Sequence, residues 1–329
     1  MKKLLGLVLI LMLVLTTGVF AEEDGIRIGL VWQNITSEMG SDMQAGAMYM
    51  ANELGLKKED VLFVDGESSL ENQINAIDDL IVSGIDAIVI WPYDDFGIGQ
   101  SIISCNEAGI PVVTVDVMAQ TGEVVNHVAS DNYEIGQIDG KYAAEYLFEK
   151  YGEYKGTCLA IGYPLLNSTR DRVQGFKDYM AQYENVKIEE YNLQNHTFED
   201  GQAMADDLLQ RYPEGSFDIF MGCSCAPGLG GCVAASTFGR EDDYKVVCVD
   251  NIAQLRAECT AEKSALLGFV AQDPFDMGMT SVAKAVAAAR GEDPGEFMTT
   301  TNLFWVGPET YDDFTAWYDS MCEKVADFR

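Results

Sequence analysis

The sequence predicts an α/β fold made of two parallel-sheet halves. Three observations predict it. Short β-branched runs alternate with segments whose apolar residues recur at helical spacing, the pattern of parallel strands joined by covering helices. The alternation runs to about residue 130 and then starts again. No low-complexity stretch separates the two series, so the halves are closely joined rather than tethered.

The elements follow in order. Residues 26–32 form a strand, after which Met39, Met43, Gly46, Ala47, Met50, Ala51 and Leu54 recur at helical spacing up to Gly55. A strand at 61–64 precedes a helix marked by Ile74, Ile77, Leu80 and Ile81, which ends near Gly84. Residues 87–91 read as strand, 98–108 as helix and 111–116 as strand, with another apolar stretch at 124–129. Ile135, Ile138, Tyr142 and Leu147 line the helix that restarts the series. A strand at 157–161 leads to a helix lined by Val173, Phe176 and Met180. Strands follow at 186–191, 217–221, 246–249 and 266–271, with Met204, Leu208 and Leu209 on an intervening helix. Val282, Ala285, Val286 and Ala289 mark a last amphipathic helix over 276–289.

Residues 1–21 carry the pattern of a secretory signal peptide. Lys2 and Lys3 open it, residues 4–15 are apolar apart from Gly6, and Val19-Phe20-Ala21 supplies small residues for cleavage after Ala21. The apolar core is too short to span a bilayer comfortably. No cysteine sits at the cleavage point, so a lipid anchor is not expected and a periplasmic or secreted location is. The full chain of 329 residues carries a formal charge of −32, and loss of the two lysines makes the mature protein more acidic. That charge excludes nucleic acid and anionic membrane surfaces as partners. No helix-turn-helix precedes residue 26.

Eight cysteines in an exported chain make disulfides possible. Cys223, Cys225, Cys232 and Cys248 crowd one region, and a bridge among them is expected, Cys225 with Cys232 first, or Cys248 with another partner. They include no C-x-x-C pair, and the chain holds only His127 and His196, so no zinc site or other cofactor is predicted.

In open α/β sheets ligands sit beyond the carboxyl ends of the strands. Here those ends carry Trp32-Gln33, Asp65, Trp91-Pro92, Asp116, Gly162-Tyr163, Gly222-Cys223, Asp250-Asn251 and Gln272-Asp273. Strand ends are where polar residues become tolerable, which accounts for each of these carboxylates, amides and aromatics singly and less well for the whole set. An enzyme is not indicated. There is no G-x-S-x-G elbow and neither histidine has a triad context. "GLGG" at 228–231 lacks phosphate-loop spacing and reads as a close-packed helix start.

"AGIPVVTVD" (108–116), "GEVVNHVASDN" (122–132), "TRDRVQGF" (169–176), "VVCVDN" (246–251) and "GFVAQDPFDMG" (268–278) together carry a family resemblance. The chain resembles the periplasmic sugar-binding proteins of ABC transporters, the ribose-binding-protein-like branch of the type I fold, over nearly all of its mature length. The resemblance implies two Rossmann-like lobes, parallel sheets flanked by helices, joined by three hinge crossings near Ser130, Gln272 and Thr301. The lobes would be 22–130 with 273–301, and 131–272 with 302–329. A sugar or polyol would bind between them and pass to an ABC transporter permease, the binding protein being a monomer that is not inserted in the membrane. The alternatives are a ligand carrier or sensor for a chemoreceptor or signalling system, and a carbohydrate-active enzyme.

Carried over by position, the resemblance makes Asp116 a sugar-binding carboxylate, Arg170 the cleft arginine, Asp250 the second lobe's carboxylate and Gln272 the hinge-side amide. A carboxylate accepts from two adjacent hydroxyls and an arginine fork donates to ring and hydroxyl oxygens. The chain departs from the pattern elsewhere. Val117 stands where the ribose binders carry an arginine, Trp91 and Cys223 where they carry asparagines, Met39 and Gly40 where they carry aromatics, and Gln33 and Ser37 at the preceding polar positions. Trp91 and Trp32 are then candidate stacking platforms for a sugar ring. Asp131 is read as a helix cap.

Overall fold

The computed structural model describes residues 25–329, so the signal peptide expected at 1–21 lies outside the described residues. The first sheet has strand order β11-β5-β4-β3-β1-β2, from β1 (Ile28–Trp32), β2 (Val61–Asp65), β3 (Ala87–Ile90), β4 (Val112–Val115), β5 (Asn126–Ala129) and β11 (Met298–Thr300). All its pairings are parallel. The second has order β12-β10-β9-β8-β6-β7, from β6 (Lys155–Gly162), β7 (Asn185–Asn192), β8 (Ile219–Gly222), β9 (Lys245–Val249), β10 (Leu266–Gln272) and β12 (Leu303–Val306). One feature departs from the parallel pattern: β12 pairs antiparallel with β10. Only Thr301 and Asn302 separate β12 from β11, so the chain leaves the first sheet and enters the second almost directly.

Helices cover both faces. In the first lobe they are α1 (Glu38–Glu53), α2 (Leu70–Ser83), α3 (Gly99–Glu107) and, returning late in the chain, α9 (Pro274–Ala289). The second lobe has α4 (Asn132–Tyr151), α5 (Asn167–Met180), α6 (Phe198–Arg211), α7 (Cys225–Phe238), α8 (Ala253–Thr260) and α10 (Tyr311–Lys324). Each lobe therefore buries its central strands on both faces, which is why β1, β3, β4 and β8 are buried along their whole length. The edge strand β7 differs. It alternates Lys187, Glu189 and Glu190 with partly buried residues, a charged edge that resists pairing with other chains.

Local chemistry starts and stops these helices. Ser37, Ser69, Asp131, Thr197 and Asp273 each accept a backbone N–H as N-caps. The chain passes between the sheets after β5, after β10 and between β11 and β12. Ser130, Gln272 and Thr301, at those passages, are all buried, and each has a side-chain oxygen without a partner among the described residues. Beside them an apolar joint forms from Ala45, Phe275, Met279 and Val325, with Tyr49, Trp317 and Tyr318 packed against it.

Candidate functional site

The strand-end acids separate into two kinds. Asp65 accepts the backbone N–H groups of Ile35 and Glu67, Asp131 caps α4 through Glu134, and Asp273 caps α9 through Asp276. These are local structural roles. Asp116 and Asp250 differ in backbone conformation, with φ of 60° and 83°. A non-glycine residue in that left-handed region costs about 1–3 kcal/mol, and aspartate is among the residues that tolerate it. The bend lets each strand end on a carboxylate that leaves its own sheet.

Asp116 Oδ2 accepts the indole N–H of Trp91 at 2.9 Å. Trp91 extends β3 and Asp116 extends β4, so the contact follows from their adjacency in the sheet. Asp250 Oδ1 accepts from Gln272 Nε2 at 2.7 Å, and its Oδ2 accepts the backbone N–H of Cys225 at 3.2 Å. Burial raises the Asp116 pKa. The positive charge of Arg172 and the Trp91 hydrogen bond oppose that rise, and the negative charge of Asp250 adds to it. The aspartates of the two lobes are thus within electrostatic reach of each other and of one guanidinium.

That guanidinium is Arg172, not Arg170. Arg172 is 4 % exposed; its Nε donates to Asn132 Oδ1 at 2.8 Å, its Nη1 donates to the Cys223 carbonyl at 3.1 Å, and Nη1 lies 3.8 Å from Asp250 Oδ1. Arg170 is exposed and donates to the Pro164 carbonyl. Two residues along a helix rotate a side chain by about 200°. The two arginines of "TRDR" therefore face opposite ways, and the expectation for Arg170 is corrected. Helix packing holds Arg172 in place. A Cβ at Gly136 of α4 would stand 1.9 Å from the Arg172 carbonyl oxygen, and one at Gly175 would stand 2.1 Å from that of Tyr133. Only glycine at both positions lets α4 and α5 approach so closely.

The other expected residues are placed as follows. Trp91 is 4 % exposed, so in this conformation it presents its N–H to Asp116 and little ring face. Trp32 is buried in the first lobe's core, edge-on to Phe63. Cys223 is buried, and it joins the cluster through its carbonyl rather than its thiol, which burial pushes up to about 12. Ser37 commits its hydroxyl to the α1 cap, and Gln33 is partly buried one residue past β1.

Sequence reasoning missed His196 and Ser224. His196 stacks on Tyr163 with ring centroids 5.1 Å apart and planes 7° from parallel, and its Nε2 lies 2.7 Å from Ser224 Oγ. Burial lowers the histidine pKa, although Asp250 opposes this, so the ring is predominantly neutral at pH 7. Each of these residues lies in a strand-to-helix segment of the second lobe, which is the signal that could have found them.

Asp139 was missed too. It lies on α4, fully buried, and neither carboxylate oxygen has a partner among the described residues. Burial raises its pKa well above the ordinary value, Arg172 partly offsetting the effect and Asp250 adding to it. The folded protein then binds a proton that the unfolded chain releases near pH 3.8, so stability from this group is lost as pH rises toward the folded value. Asp139→Asn is expected to flatten the decline in melting temperature that sets in as pH rises above the ordinary carboxylate value of 3.8. Parallel melting curves whose pH slopes match the parent's would show that Asp139 titrates normally.

The cysteine expectation changes. All eight cysteines are free thiols. Cys225 and Cys232 lie seven residues apart on the same helix, a rise of about 10 Å, beyond disulfide reach. "GLGG" falls inside α7, where Cβ atoms at Gly228 and Gly230 would collide with Cys248 and with Gln202.

Taken together, the Arg172 guanidinium lies 3.8 Å from Asp250 in its own lobe and its charge reaches Asp116 in the other, with a neutral imidazole that is bonded to a hydroxyl in the same lobe. Carboxylates accept and the guanidinium donates, the pairing that vicinal hydroxyl groups offer in return. Comparisons with known proteins agree with this architecture. The model of the periplasmic binding protein domain family matches residues 28–293. The ribose import binding protein RbsB of Bacillus subtilis (strain 168) is 29 % identical over 299 residues, covering 87 % of this chain and 92 % of that protein. RbsB of Escherichia coli (strain K12) is 28 % identical over 267 residues, covering 80 % and 85 %. A carbohydrate transporter solute binding protein from Agrobacterium radiobacter, solved in complex with D-arabinose, shares the fold at a TM-score of 0.77, with 22 % identity and 90 % and 99 % coverage.

Proposed function

The chain belongs to the periplasmic binding protein domain family, and we propose that it is an extracytoplasmic solute-binding protein that captures a neutral sugar or polyol between its lobes for import by an ABC transporter. One observation carries the reading of the site. Asp116 and Asp250 each end a parallel strand of a different sheet in a left-handed turn, Asp250 lies 3.8 Å from Arg172, and Asp116 lies within reach of that charge. The names of the relatives support the ligand class, since RbsB of both organisms is a ribose import binding protein.

In this reading Asp116, Asp250 and Arg172 hydrogen-bond the ligand's hydroxyls, and Gln272 orients Asp250 from the hinge. Trp91 orients Asp116, and His196 and Ser224 form a polar wall. Two carboxylates against one guanidinium disfavour sugar acids and sugar phosphates by like-charge repulsion. The lobes are 22–130 with 273–301, and 131–272 with 302–329, hinged near Ser130, Gln272 and Thr301. The signal peptide at 1–21 directs export, the permease is the partner, the protein acts as a monomer, and the ligand leaves unaltered.

A thermal-shift screen of the mature protein tests this, starting from D-ribose and extending to D-allose, D-arabinose, xylitol and myo-inositol, with glucuronate as the anionic control. A true ligand at about 100 times its dissociation constant is expected to add about 2.7 kcal/mol to stability. No shift with any neutral sugar, or a larger one with glucuronate, would sink the reading.

A further inference from the structure

Beside the ligand-facing cluster, a separate chain of contacts ties the two lobes together. Glu38, in the first turn of α1, places Oε2 2.8 Å from Arg256 Nη2, and its Oε1 accepts the backbone N–H of Ala253 at 2.7 Å. Both partners belong to α8, on the opposite lobe. Arg256 is itself held from two sides. Its Nη1 donates to Asn251 Oδ1 at 2.6 Å, and its guanidinium lies 5.1 Å from the Tyr318 ring centroid. The Tyr318 hydroxyl donates in turn to Asp42 Oδ2 at 2.8 Å, one turn along α1 from Glu38.

The position of this network matters. Asn251, which holds Arg256, directly follows Asp250, so the network is joined to the cluster through one step of backbone. The side chains of Arg256 and Glu38 are 18 % and 34 % exposed, which leaves the pair partly screened by solvent. Farther back, the apolar joint of Phe275, Met279 and Val325 joins the same lobes through non-directional contacts. Apolar contact tolerates rotation, whereas an ion pair that also accepts a backbone N–H is satisfied in one orientation only.

We propose that Glu38, through Arg256 and the Ala253 N–H, is a latch that sets the balance between open and closed lobes, and hence ligand affinity, without touching the ligand. The inference rests on the capture reading above. A ligand that binds the closed form has its apparent affinity reduced by the fraction of molecules that are not closed. Removing the latch raises that fraction and speeds dissociation, while each lobe's core stays intact. Glu38 is a positioning residue in this scheme, and its loss acts on closure.

The experiment compares the parent with Glu38→Gln, Arg256→Met and the double variant. Small-angle scattering of each, free and with saturating D-ribose, at low and high salt, reads closure directly. Both single variants are expected to have a larger radius of gyration than the parent, and high salt should expand the parent toward them. D-ribose binding should weaken by about 3- to 10-fold in each single variant, mainly through faster dissociation, and the double variant should be no worse than the weaker single. Unchanged melting temperatures would confirm that folding is not what was lost. An unchanged radius of gyration in both single variants overturns the latch. If D-ribose does not bind the parent, the ribose assignment fails while the ligand-free scattering still decides the latch.

Discussion

Arg172→Met is expected to destabilise the second lobe by about 3–5 kcal/mol and to abolish measurable ligand binding, whereas Arg170→Met should change neither. Removing the buried cation of an ion pair leaves its partners unsatisfied, which is where that magnitude comes from. Here the loss strands the Asn132 amide oxygen and the Cys223 carbonyl, and leaves Asp250 without its nearest cation. A loss of about 3 kcal/mol should lower the melting midpoint by roughly 6–12 °C for a domain of this size. Arg170 is exposed and bonds one nearby carbonyl, so its replacement should fall within about 0.5 kcal/mol of the parent. Arg172→Lys should not rescue binding, because an ammonium cannot reproduce the planar fork. Differential scanning calorimetry beside titration with the screened sugar decides the matter. Equal effects from the two methionine variants would mean that burial and phase had been misjudged.

Asp116→Asn is expected to weaken ligand binding by about 2–4 kcal/mol, on the order of 30- to 1,000-fold, without lowering the stability of the ligand-free protein. A hydrogen bond to a charged group contributes about 1.5–3 kcal/mol, and a bidentate contact loses most of two. Asparagine keeps the shape and tolerates the left-handed backbone at φ 60°. It can still accept from the Trp91 N–H, but it turns one acceptor into a donor. Burial already penalises the charged carboxylate, so the ligand-free midpoint should hold or rise. Asp116→Ala loses the same contacts and adds backbone strain, so its midpoint should fall as well. Isothermal titration beside melting curves reads both axes. If both variants bind within about threefold of the parent, a gap of under 0.7 kcal/mol, Asp116 is not the ligand's acceptor.

Some of the site was legible and some only half so. The β-branched run at 112–115 marked β4, and with it the strand end at Asp116, because strands buried on both faces read as apolar runs. The phase of α5 was also in the sequence. Thr169, Arg172, Val173 and Phe176 fall on one buried face, and Val173 and Phe176 were already recognised as its apolar stripe. Arg172 keeps that phase and Arg170 does not, so resemblance by position pointed one way and helical geometry the other. The late elements β11, β12 and α10 escaped notice. Strands of three and four residues carry too few side chains to show a period, and α10 mixes aromatics with acids around much of its circumference.

The sequence by itself determined the α/β class, the restart of the pattern near residue 130 and the helix cap at Asp131, because these depend on contacts a few residues apart. It also determined that the strand ends would carry acids, amides and aromatics. Only the tertiary structure separated Asp65 and Asp273, which bond nearby backbone N–H groups, from Asp116 and Asp250, since that turns on the backbone angle at one residue and on what lies near it. Only it could pair Trp91 with Asp116 through strand order, Arg172 with Cys223 across 51 residues, and Glu38 with Arg256 across 218. Local chemistry is written along the chain, whereas a site between two lobes exists only once both have folded and met.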